Sequence, residues 1–357
     1  MKSATSFYLH EFNFGGAELV LASVANLLAA HGVEVEVVVS RRGAAHHFLS
    51  SAIPAIETGT TRTLKDLPFL VQYLKRERPA RIVSTLFRCN VIVVLASIIA
   101  GYRGEVVLRE TTCLYERLAG GARYRVLYTR MLYWLMSLRA DRVLVPSRSV
   151  LPGLSMLSKR YAAKASLAPN PLRVRPCAVK SFDFGLRVVV LSRLDPVKSI
   201  DLTISAVGML GGEVVLEVYG DGPMRPHLEA QASMQLQSGS YHFHGFVSDV
   251  ESAYERGGVF VICSIHEGFP NAALEAVIAG MCIVVVGRRE TFEDLALLFQ
   301  LDEKCFVESR DPGALAGRLR DVRRDPSRYR ASREAIDAYV SGVNERVLAA
   351  YGHTVLK

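Results

Sequence analysis

The sequence predicts an α/β protein built from two doubly wound parallel-sheet domains. The chain has 357 residues, and at roughly 150 residues per domain this length suggests two domains. Half of the residues are hydrophobic and 22% are charged, a balance that excludes a disordered or fibrous chain. Strand-like runs also alternate with helical stripes in both halves of the chain, as expected for parallel sheets covered by helices on both faces.

In the first half, short β-rich runs alternate with two amphipathic stripes. Strands are predicted at residues 6–10, 33–39, 82–85, 106–108 and 142–145. The stripes have the spacing of one helix face and consist of Val20, Val24, Leu27 and Leu28, and of Leu67, Leu70, Val71 and Leu74. This alternation predicts a first parallel sheet.

The second half repeats this rhythm after a proline-rich segment. Strands are predicted at residues 188–191, 214–219, 242–244, 259–263 and 283–286, and a helical stripe at Leu202, Ala206, Met209 and Leu210. We therefore predict a domain at 1–170, a linker at 171–184, a second domain at 185–335 and a helical segment at 336–357. After Pro326 we expect two short helical segments, the last at 343–351.

Charge and cysteine patterns restrict the classes of partner. Residues 1–180 carry a net charge of +14 and the rest −6, so only the first half suits an anionic partner. Six cysteines without a C-x-x-C pair argue against a zinc site or disulfide framework and for a reducing cytosol. The longest apolar stretch is about half of what a membrane-spanning helix needs. Nucleic acid is not an expected partner, because no binding signature for it appears.

Because ligands of such sheets bind beyond the carboxyl ends of the strands, the loops that follow strands are the candidate sites. G-G-A-E at 15–18 joins two glycines to a helix N-terminus, which suits an anion or simply makes a tight turn. S-R-L-D-P-V-K at 192–198 offers Arg193 and Lys198 to a diphosphate, unless it is a solvated basic turn.

Three further loops follow strands of the second half. Y-G-D-G-P at 219–223 and H-G-F-V at 244–247 could contact a nucleotide or serve only as turns. S-I-H-E-G-F-P-N-A-A-L-E-A at 264–276 carries Glu267 in a loop and Glu275 about one turn into a helix that begins near residue 270. Two carboxylates suit paired hydroxyl groups, whereas either one alone is an ordinary surface or helix N-terminal glutamate.

These five loops, in this order, resemble those of the family-4 retaining glycosyltransferases of the GT-B fold, in which two Rossmann-like domains face each other across a cleft. The resemblance implies that Arg193 and Lys198 bind the donor phosphates. It also implies that Glu267 contacts the donor sugar and that Glu275 binds the ribose hydroxyls. The family resemblance, with the bare Gly220 turn, gives these predicted contacts to the donor: Gly15, Gly16, Arg193, Lys198, Gly220, Phe246, Val247, Glu267, Gly268, Phe269, Pro270, Asn271 and Glu275.

The sequence departs from the family at the end of a middle strand of the first domain. Many members carry a histidine there, close to the reacting sugar, whereas this chain reads L-R-E-T-T at 108–112. Glu110 either fills that catalytic role or is a structural carboxylate paired with Arg109. Together with Glu267, Arg193 and Lys198, it completes the predicted catalytic set.

The predicted reaction moves a hexose or N-acetylhexosamine from a nucleotide sugar, UDP-activated by resemblance, with retention. No D-x-D triplet occurs, so we expect no metal or other cofactor, and Arg193, Lys198 and helix N-termini would neutralise the leaving diphosphate. Residues 115–142 interleave arginines with aromatic and apolar side chains. This pattern predicts either a helix buried on the sheet or peripheral contact with anionic inner-membrane lipid. In the second case the protein would be cytoplasmic, and its acceptor would be a lipid-linked saccharide at the inner face of the membrane.

Two other functions fit the same architecture. One is a non-catalytic partner subunit of a true transferase, although such a subunit need not keep Arg193, Lys198, Glu267 and Glu275 together. The other is an enzyme that epimerises a nucleotide sugar. Sugar interconversion, or nucleotide release without any acceptor, would favour the epimerase.

Overall fold

The computed structural model describes residues 2–13, 15–111, 123–176, 185–211 and 214–352. The chain divides into two compact units, one formed by Met1–Pro171 with Gly342–Lys357 and the other by Leu172–Ser341. Each unit contains one parallel sheet with helices, which confirms the predicted fold class of two Rossmann-like domains. Within the described ranges, no helix has the length and apolar character needed to span a bilayer.

The first unit contains a seven-stranded sheet. Its strands are β1 (Lys2–Glu11), β2 (Val35–Arg41), β3 (Ala55–Glu57), β4 (Pro79–Thr85), β5 (Glu105–Arg109), β6 (Arg142–Val145) and β7 (Ala165–Leu167). All neighbours pair in parallel, in the order β3-β2-β1-β4-β5-β6-β7. The helices are α1 (Gly16–Ala30), α2 (Leu67–Arg76), α3 (Phe87–Ala100), α4 (Arg123–Arg139), α5 (Val150–Leu157) and α6 (Lys159–Ala162).

The core of the first unit explains why the pattern of its sequence produces these elements. Inner strands are buried on both faces, and in β5 and β6 residues 106–108 and 143–145 are therefore continuous apolar runs rather than alternating ones. Leu70 of α2, Val93 of α3 and Tyr133 of α4 pack in one cluster with Tyr8 of β1 and Val106 of β5. The edge strands β3 and β7 have three residues each, too few to give a sequence pattern, and they were not predicted.

The second unit contains a six-stranded sheet. Its strands are β8 (Leu186–Leu191), β9 (Val214–Tyr219), β10 (Tyr241–Gly245), β11 (Val259–Ile262), β12 (Cys282–Val286) and β13 (Phe306–Val307). They pair in parallel in the order β10-β9-β8-β11-β12-β13. The helices are α7 (Ile200–Gly208), α8 (Arg225–Gln235), α9 (Glu251–Glu255), α10 (Asn271–Ile278), α11 (Glu293–Phe299) and α12 (Pro312–Arg324).

After residue 325 the chain forms a short 3-10 helix (Pro326–Tyr329) and then α13 (Arg333–Ala350), so two helical segments follow as predicted, but the second is long and begins ten residues before the predicted 343–351. Gly342 lies inside this helix, and a single interior glycine weakens a helix by only about 1 kcal/mol, so it does not interrupt it. The residue after the helix, Tyr351, is fully buried in the first unit. Its ring lies 6.3 Å from that of Phe7, and its hydroxyl accepts a hydrogen bond of 3.0 Å from Arg109.

Each sheet has one place where the direction of winding reverses. The chain runs from β1 to β2 and β3 on one side, then returns to place β4 on the other side of β1. In the second sheet the corresponding reversal lies between β8 and β11. The loops at the carboxyl ends of these strand pairs diverge and leave a crevice, which is where doubly wound sheets bind ligands.

Candidate active site

The crevice of the second sheet is bridged by a lysine and a glutamate. Lys198 follows β8 and Glu267 follows β11, and Lys198 Nζ lies 2.6 Å from Glu267 Oε1. The two loops are also joined by the backbone, since the Ile265 N–H donates to the Val197 carbonyl at 2.9 Å. Both charged side chains are largely buried, so the pair is held in one geometry and places a cation at the reversal point.

Arg193, the other predicted phosphate-binding cation, lies in a different environment. Its side chain is 68% exposed and pairs at 2.8 Å with Asp195 of the same loop. An exposed pair of this kind contributes little to stability. Arg193 is therefore free to reorient toward an anion, whereas Lys198 is already positioned.

The Glu275 side chain is bound by Arg173, a residue that the sequence analysis did not predict. It lies in the second turn of α10, which begins at Asn271 as the sequence indicated, and it is only 3% exposed. Arg173 Nε donates to its Oε1 at 2.7 Å, and the Tyr254 hydroxyl donates to its Oε2 at 3.3 Å. Burial raises the pKa of Glu275, although Arg173 opposes that effect. Arg173 had been placed in the linker, where nothing distinguished it from a solvated cation.

The segment that follows Glu267 matches the expectation of a loop that leads into a helix near residue 270. Gly268 and Pro270 are buried and Phe269 is partly buried. The Asn271 N–H donates to the Phe269 carbonyl at 3.0 Å, which closes a tight turn before α10. Donor contacts from residues 268–271 remain a prediction.

The glycines of the 219–223 loop have a structural explanation. Gly220 has a φ of +124°, and a Cβ there would lie 1.9 Å from the Ser192 carbonyl oxygen. A Cβ at Gly222 would lie 2.6 Å from the Leu194 carbonyl oxygen. These glycines let the loop after β9 pack on the loop after β8, as a turn would require. After β10, Phe246 is exposed and Val247 is partly buried, so their predicted base contacts stay predictions.

In the first unit, the glycine loop leads directly into α1. Gly15 is the N-terminal cap and Gly16 the first helical residue. The Glu18 carboxylate lies against Gly15, so that a Cβ at position 15 would lie 2.2 Å from its Oε2. These contacts are with the end of the flexible Glu18 side chain, which can move aside, so the helix backbone does not exclude a side chain at Gly15. The predicted diphosphate contact of this loop stays a prediction.

The alternative pairing of Glu110 with Arg109 is wrong. Glu110 is completely buried and accepts hydrogen bonds from the hydroxyls of Tyr161 at 2.8 Å and Tyr133 at 3.2 Å. Arg109 donates instead to the Tyr351 hydroxyl and to the Asn170 side chain. Arg109 is the last residue of β5 and Glu110 follows it directly, and because successive side chains along a strand alternate between the two faces of the sheet, the two have different partners.

We expect Glu110→Gln to flatten the pH dependence of stability. Burial raises the pKa of Glu110 despite hydrogen bonds from Tyr161, Tyr133 and Asn90. The folded chain therefore keeps this proton to a higher pH than the unfolded chain. The free energy of unfolding then falls as pH rises from the ordinary pKa of glutamate to the raised pKa of Glu110. Glutamine has no proton to lose, so the stability of the variant relative to wild type should increase from acid to neutral pH.

Thermal unfolding across this pH range tests this expectation, with the exposed Glu57→Gln as control. Activity of the same variant separates the two roles proposed for Glu110. If Glu110 contacts the reacting sugar or moves a proton, turnover should fall about a hundredfold or more. A purely structural carboxyl group should leave turnover within a few-fold of wild type.

Helix α4 presents an unusually apolar face to solvent. One stripe of its side chains is between 42% and 70% exposed and consists of Tyr124, Leu127, Tyr128, Met131, Trp134 and Leu138. The opposite face is buried, with Tyr133 and Met136 in the core. Arg123, Arg125 and Arg130 are exposed beside the stripe. Of the 115–142 segment, residues 115–122 lie outside the described residues.

Two family models match the two units of the chain. "Glycosyltransferase Family 4" matches residues 14–178, and "Glycosyl transferases group 1" matches residues 185–325. The chain is a glycosyltransferase, since the two models together cover most of it. The glycosyltransferase assignment agrees with the five strand-end loops on which the sequence resemblance was based.

Three known proteins show what this glycosyltransferase is similar to. One is the Campylobacter jejuni N-acetylgalactosamine-N,N'-diacetylbacillosaminyl-diphospho-undecaprenol 4-alpha-N-acetylgalactosaminyltransferase, 24% identical over 83% of this chain and 86% of that protein. Anabaena HepE, solved in complex with UDP-glucose, superposes with a TM-score of 0.81 at 18% identity, over 98% and 99% of the two chains. The lipopolysaccharide outer core galactosyltransferase WaaB superposes with a TM-score of 0.68 at 15% identity, over 99% of each chain. The structural neighbours confirm the GT-B fold.

Proposed function

We propose that this glycosyltransferase moves a hexose or N-acetylhexosamine from a UDP-sugar to a lipid-linked saccharide, with retention and without a metal ion. The reaction would belong to the biosynthesis of a cell-surface polysaccharide at the inner face of the cytoplasmic membrane. The observation that carries the proposal is the Lys198–Glu267 pair across the reversal point of the second sheet.

This pair suits the charge that develops as the donor reacts. When the glycosidic C–O bond breaks, negative charge accumulates on the departing diphosphate and positive charge on the sugar ring. Lys198, which donates a hydrogen bond to Glu267, would offer a fixed cation to the diphosphate, and Glu267 would offer a carboxylate to the sugar. Because both groups are positioned before substrate binds, little reorganisation is needed during the reaction.

The acceptor and the donor nucleotide are suggested by similar proteins. The Campylobacter relative is named for transfer to an undecaprenyl diphosphate-linked saccharide, and HepE was solved with UDP-glucose. The first supports a lipid-linked acceptor for this chain, and the second supports a UDP-sugar donor. Retention is supported by the family resemblance.

Mass spectrometry of reaction products tests the proposed function. The wild-type chain would be incubated with UDP-, GDP- and ADP-sugars and with polyprenyl-diphosphate acceptors that carry different hexose or N-acetylhexosamine residues. We expect one lipid-linked product, longer by one sugar, from a UDP-sugar. Interconversion of the nucleotide sugar without transfer would identify an epimerase, and no reaction with any pair would indicate a non-catalytic subunit.

We expect transfer to continue after removal of divalent metal ions. The sequence lacks a D-x-D triplet, and Lys198 supplies a positive charge of the kind that a metal ion would supply to the diphosphate. Initial rates in excess EDTA should therefore stay within about twofold of the untreated rate, given the precision of rate measurements. A rate that collapses with EDTA and returns with Mg²⁺ or Mn²⁺ would contradict the proposal.

We also propose that the apolar stripe of α4 contacts anionic lipid. Side chains such as Leu127 and Met131 can enter the boundary between headgroups and acyl chains, while Arg125 and Arg130 lie beside them where they can pair with phosphates. The net charge of +14 on residues 1–180 adds long-range attraction to the same surface. Contact of this kind would bring the enzyme to a lipid-linked acceptor.

Vesicle flotation tests the lipid contact. Burial of a Leu or Met side chain contributes about 2 kcal/mol, so Leu127→Ser combined with Met131→Ser should weaken binding at least about tenfold. Met234→Ser, which removes an exposed apolar side chain from the second unit, is the matched control and should leave binding unchanged. Equal flotation of both variants, or no flotation of wild type at low salt, would contradict the proposal.

A further inference from the structure

Polar side chains meet at the carboxyl ends of the first three strands of the first unit. His10 lies near the end of β1, Ser40 near the end of β2, and Thr58 directly after β3. Asp66 immediately precedes α2 and lies among them with no exposed surface. Neither the predicted donor site nor the apolar stripe of α4 includes these residues.

Asp66 is an ionised carboxylate that only accepts hydrogen bonds. The Tyr8 hydroxyl donates to Oδ2 at 2.7 Å and the Thr60 hydroxyl to Oδ1 at 2.6 Å. Ser40 and Thr58 donate to the same carboxylate. Burial by itself would raise the pKa of Asp66, but these four hydroxyl donors outweigh it and lower that pKa below its ordinary value.

The network fixes which ring nitrogen of His10 carries the proton. Ser40 has one hydroxyl proton and gives it to Asp66, so toward His10 its oxygen can only accept. His10 Nδ1 lies 2.5 Å from that oxygen and must therefore be the protonated nitrogen. Asp66 Oδ2, 3.6 Å from Nδ1, favours the proton there as well. In the neutral ring, Nε2 is left with a lone pair.

His10 lies at the place where a ligand of the first sheet would bind. β1 and β4 flank the reversal point of this sheet, and the backbone of His10 contacts Cys89, near the start of α3 after β4. The His10 side chain is a quarter exposed. Among the described residues, none forms a hydrogen bond with Nε2. The crevice therefore contains an oriented hydrogen-bond acceptor that no described residue of the chain uses.

We propose that His10 Nε2 accepts a hydrogen bond from a hydroxyl group of the saccharide acceptor, with Ser40 and Asp66 as positioning residues. The inference rests on the proposed function, which supplies the saccharide. A lone pair does not bind the oxygens of a diphosphate, because those oxygens are acceptors too, so a hydroxyl group is the matching chemistry. The donor phosphates then remain with the second unit.

The tautomer of His10 can be measured without any substrate. Nitrogen NMR of the full chain, labelled at histidine, should show His10 protonated at Nδ1 and unprotonated at Nε2 when the ring is neutral, with His10→Gln identifying the signal. Ser40→Ala should weaken the constraint and increase the fraction of His10 protonated at Nε2, with Asp66 alone still favouring the proton at Nδ1. A wild-type ring already protonated at Nε2 would overturn the inference.

Kinetics test the contact itself, with the polyprenyl-diphosphate saccharide that gives the most product. His10→Ala should raise the KM for this acceptor about three- to tenfold, since a neutral hydrogen bond is lost, while UDP binding and kcat stay near wild type. His10→Gln, which can keep a carbonyl oxygen near the Nε2 position, should recover much of the loss. The exposed His31→Ala is the control.

The outcomes separate this inference from the proposed function. An unchanged acceptor KM in His10→Ala, or a loss of UDP binding instead, would overturn the role of His10 while wild-type transfer still supports the function. Absence of product with the wild-type chain would count against the function and, with it, against an acceptor at His10.

Discussion

Lys198→Ala should lower kcat about tenfold to a hundredfold or more while the chain stays folded. A hydrogen bond to a charged group contributes roughly 1.5–3 kcal/mol, and a loss of this size from the transition state corresponds to such a decrease in rate. Of the two predicted phosphate-binding residues, Lys198 should affect kcat more when it is replaced, because Glu267 already holds it in place, whereas Arg193 is exposed. Arg193→Ala should therefore have the smaller effect.

The measurement is the initial rate of lipid-linked product at saturating donor. Lys198→Arg should recover part of the rate because it keeps the charge, although a guanidinium does not reproduce the point charge of an ammonium group. Lys304→Ala removes an exposed lysine of the same unit and serves as the control. A wild-type rate in folded Lys198→Ala would contradict the assignment of Lys198 to the leaving diphosphate.

Much of the fold was predictable because buried parallel strands and amphipathic helices have strong periodic patterns. The predicted bounds of β6 and β9 match the structure residue for residue. The edge strands β3, β7 and β13 were missed, since two or three residues paired on one side carry no pattern of their own. Their existence depends on a neighbouring strand that sequence reasoning could not place.

Residues of the candidate site could be predicted where they directly follow a strand. They could not be predicted where they lie in a segment without a strand or helix pattern. Lys198 and Glu267 were found because both follow strands that flank the reversal point. Arg173 was missed because it contacts Glu275 from a segment without periodicity, 102 positions away in sequence. His10 and Ser40 each lie near a strand end, so a search for polar residues at adjacent strand ends could have found them.

Arg173→Met should destabilise the second unit by about 3–5 kcal/mol at neutral pH, because it leaves the buried Glu275 carboxylate without its cation. Glu275→Gln should destabilise the unit less, since the Arg173 side chain is partly exposed and can reach water. The double variant with methionine at both positions should have a free energy of unfolding closer to that of wild type than Arg173→Met alone has. Urea unfolding measures all three, and Arg175→Met, an exposed arginine of the same segment, is the control.

The loss in Arg173→Met should also depend on pH in a defined direction. Burial already raises the pKa of Glu275, and removal of Arg173, which lowers it, must raise that pKa further. The folded variant then binds more protons than its unfolded chain over a wider window, so its stability falls more steeply as pH rises above the ordinary glutamate range. Below that range Glu275 is protonated in both states and the difference from wild type should shrink. A deficit that is independent of pH would mean that Arg173 stabilises the unit by packing rather than by charge, and Glu275 would then not depend on it for its position.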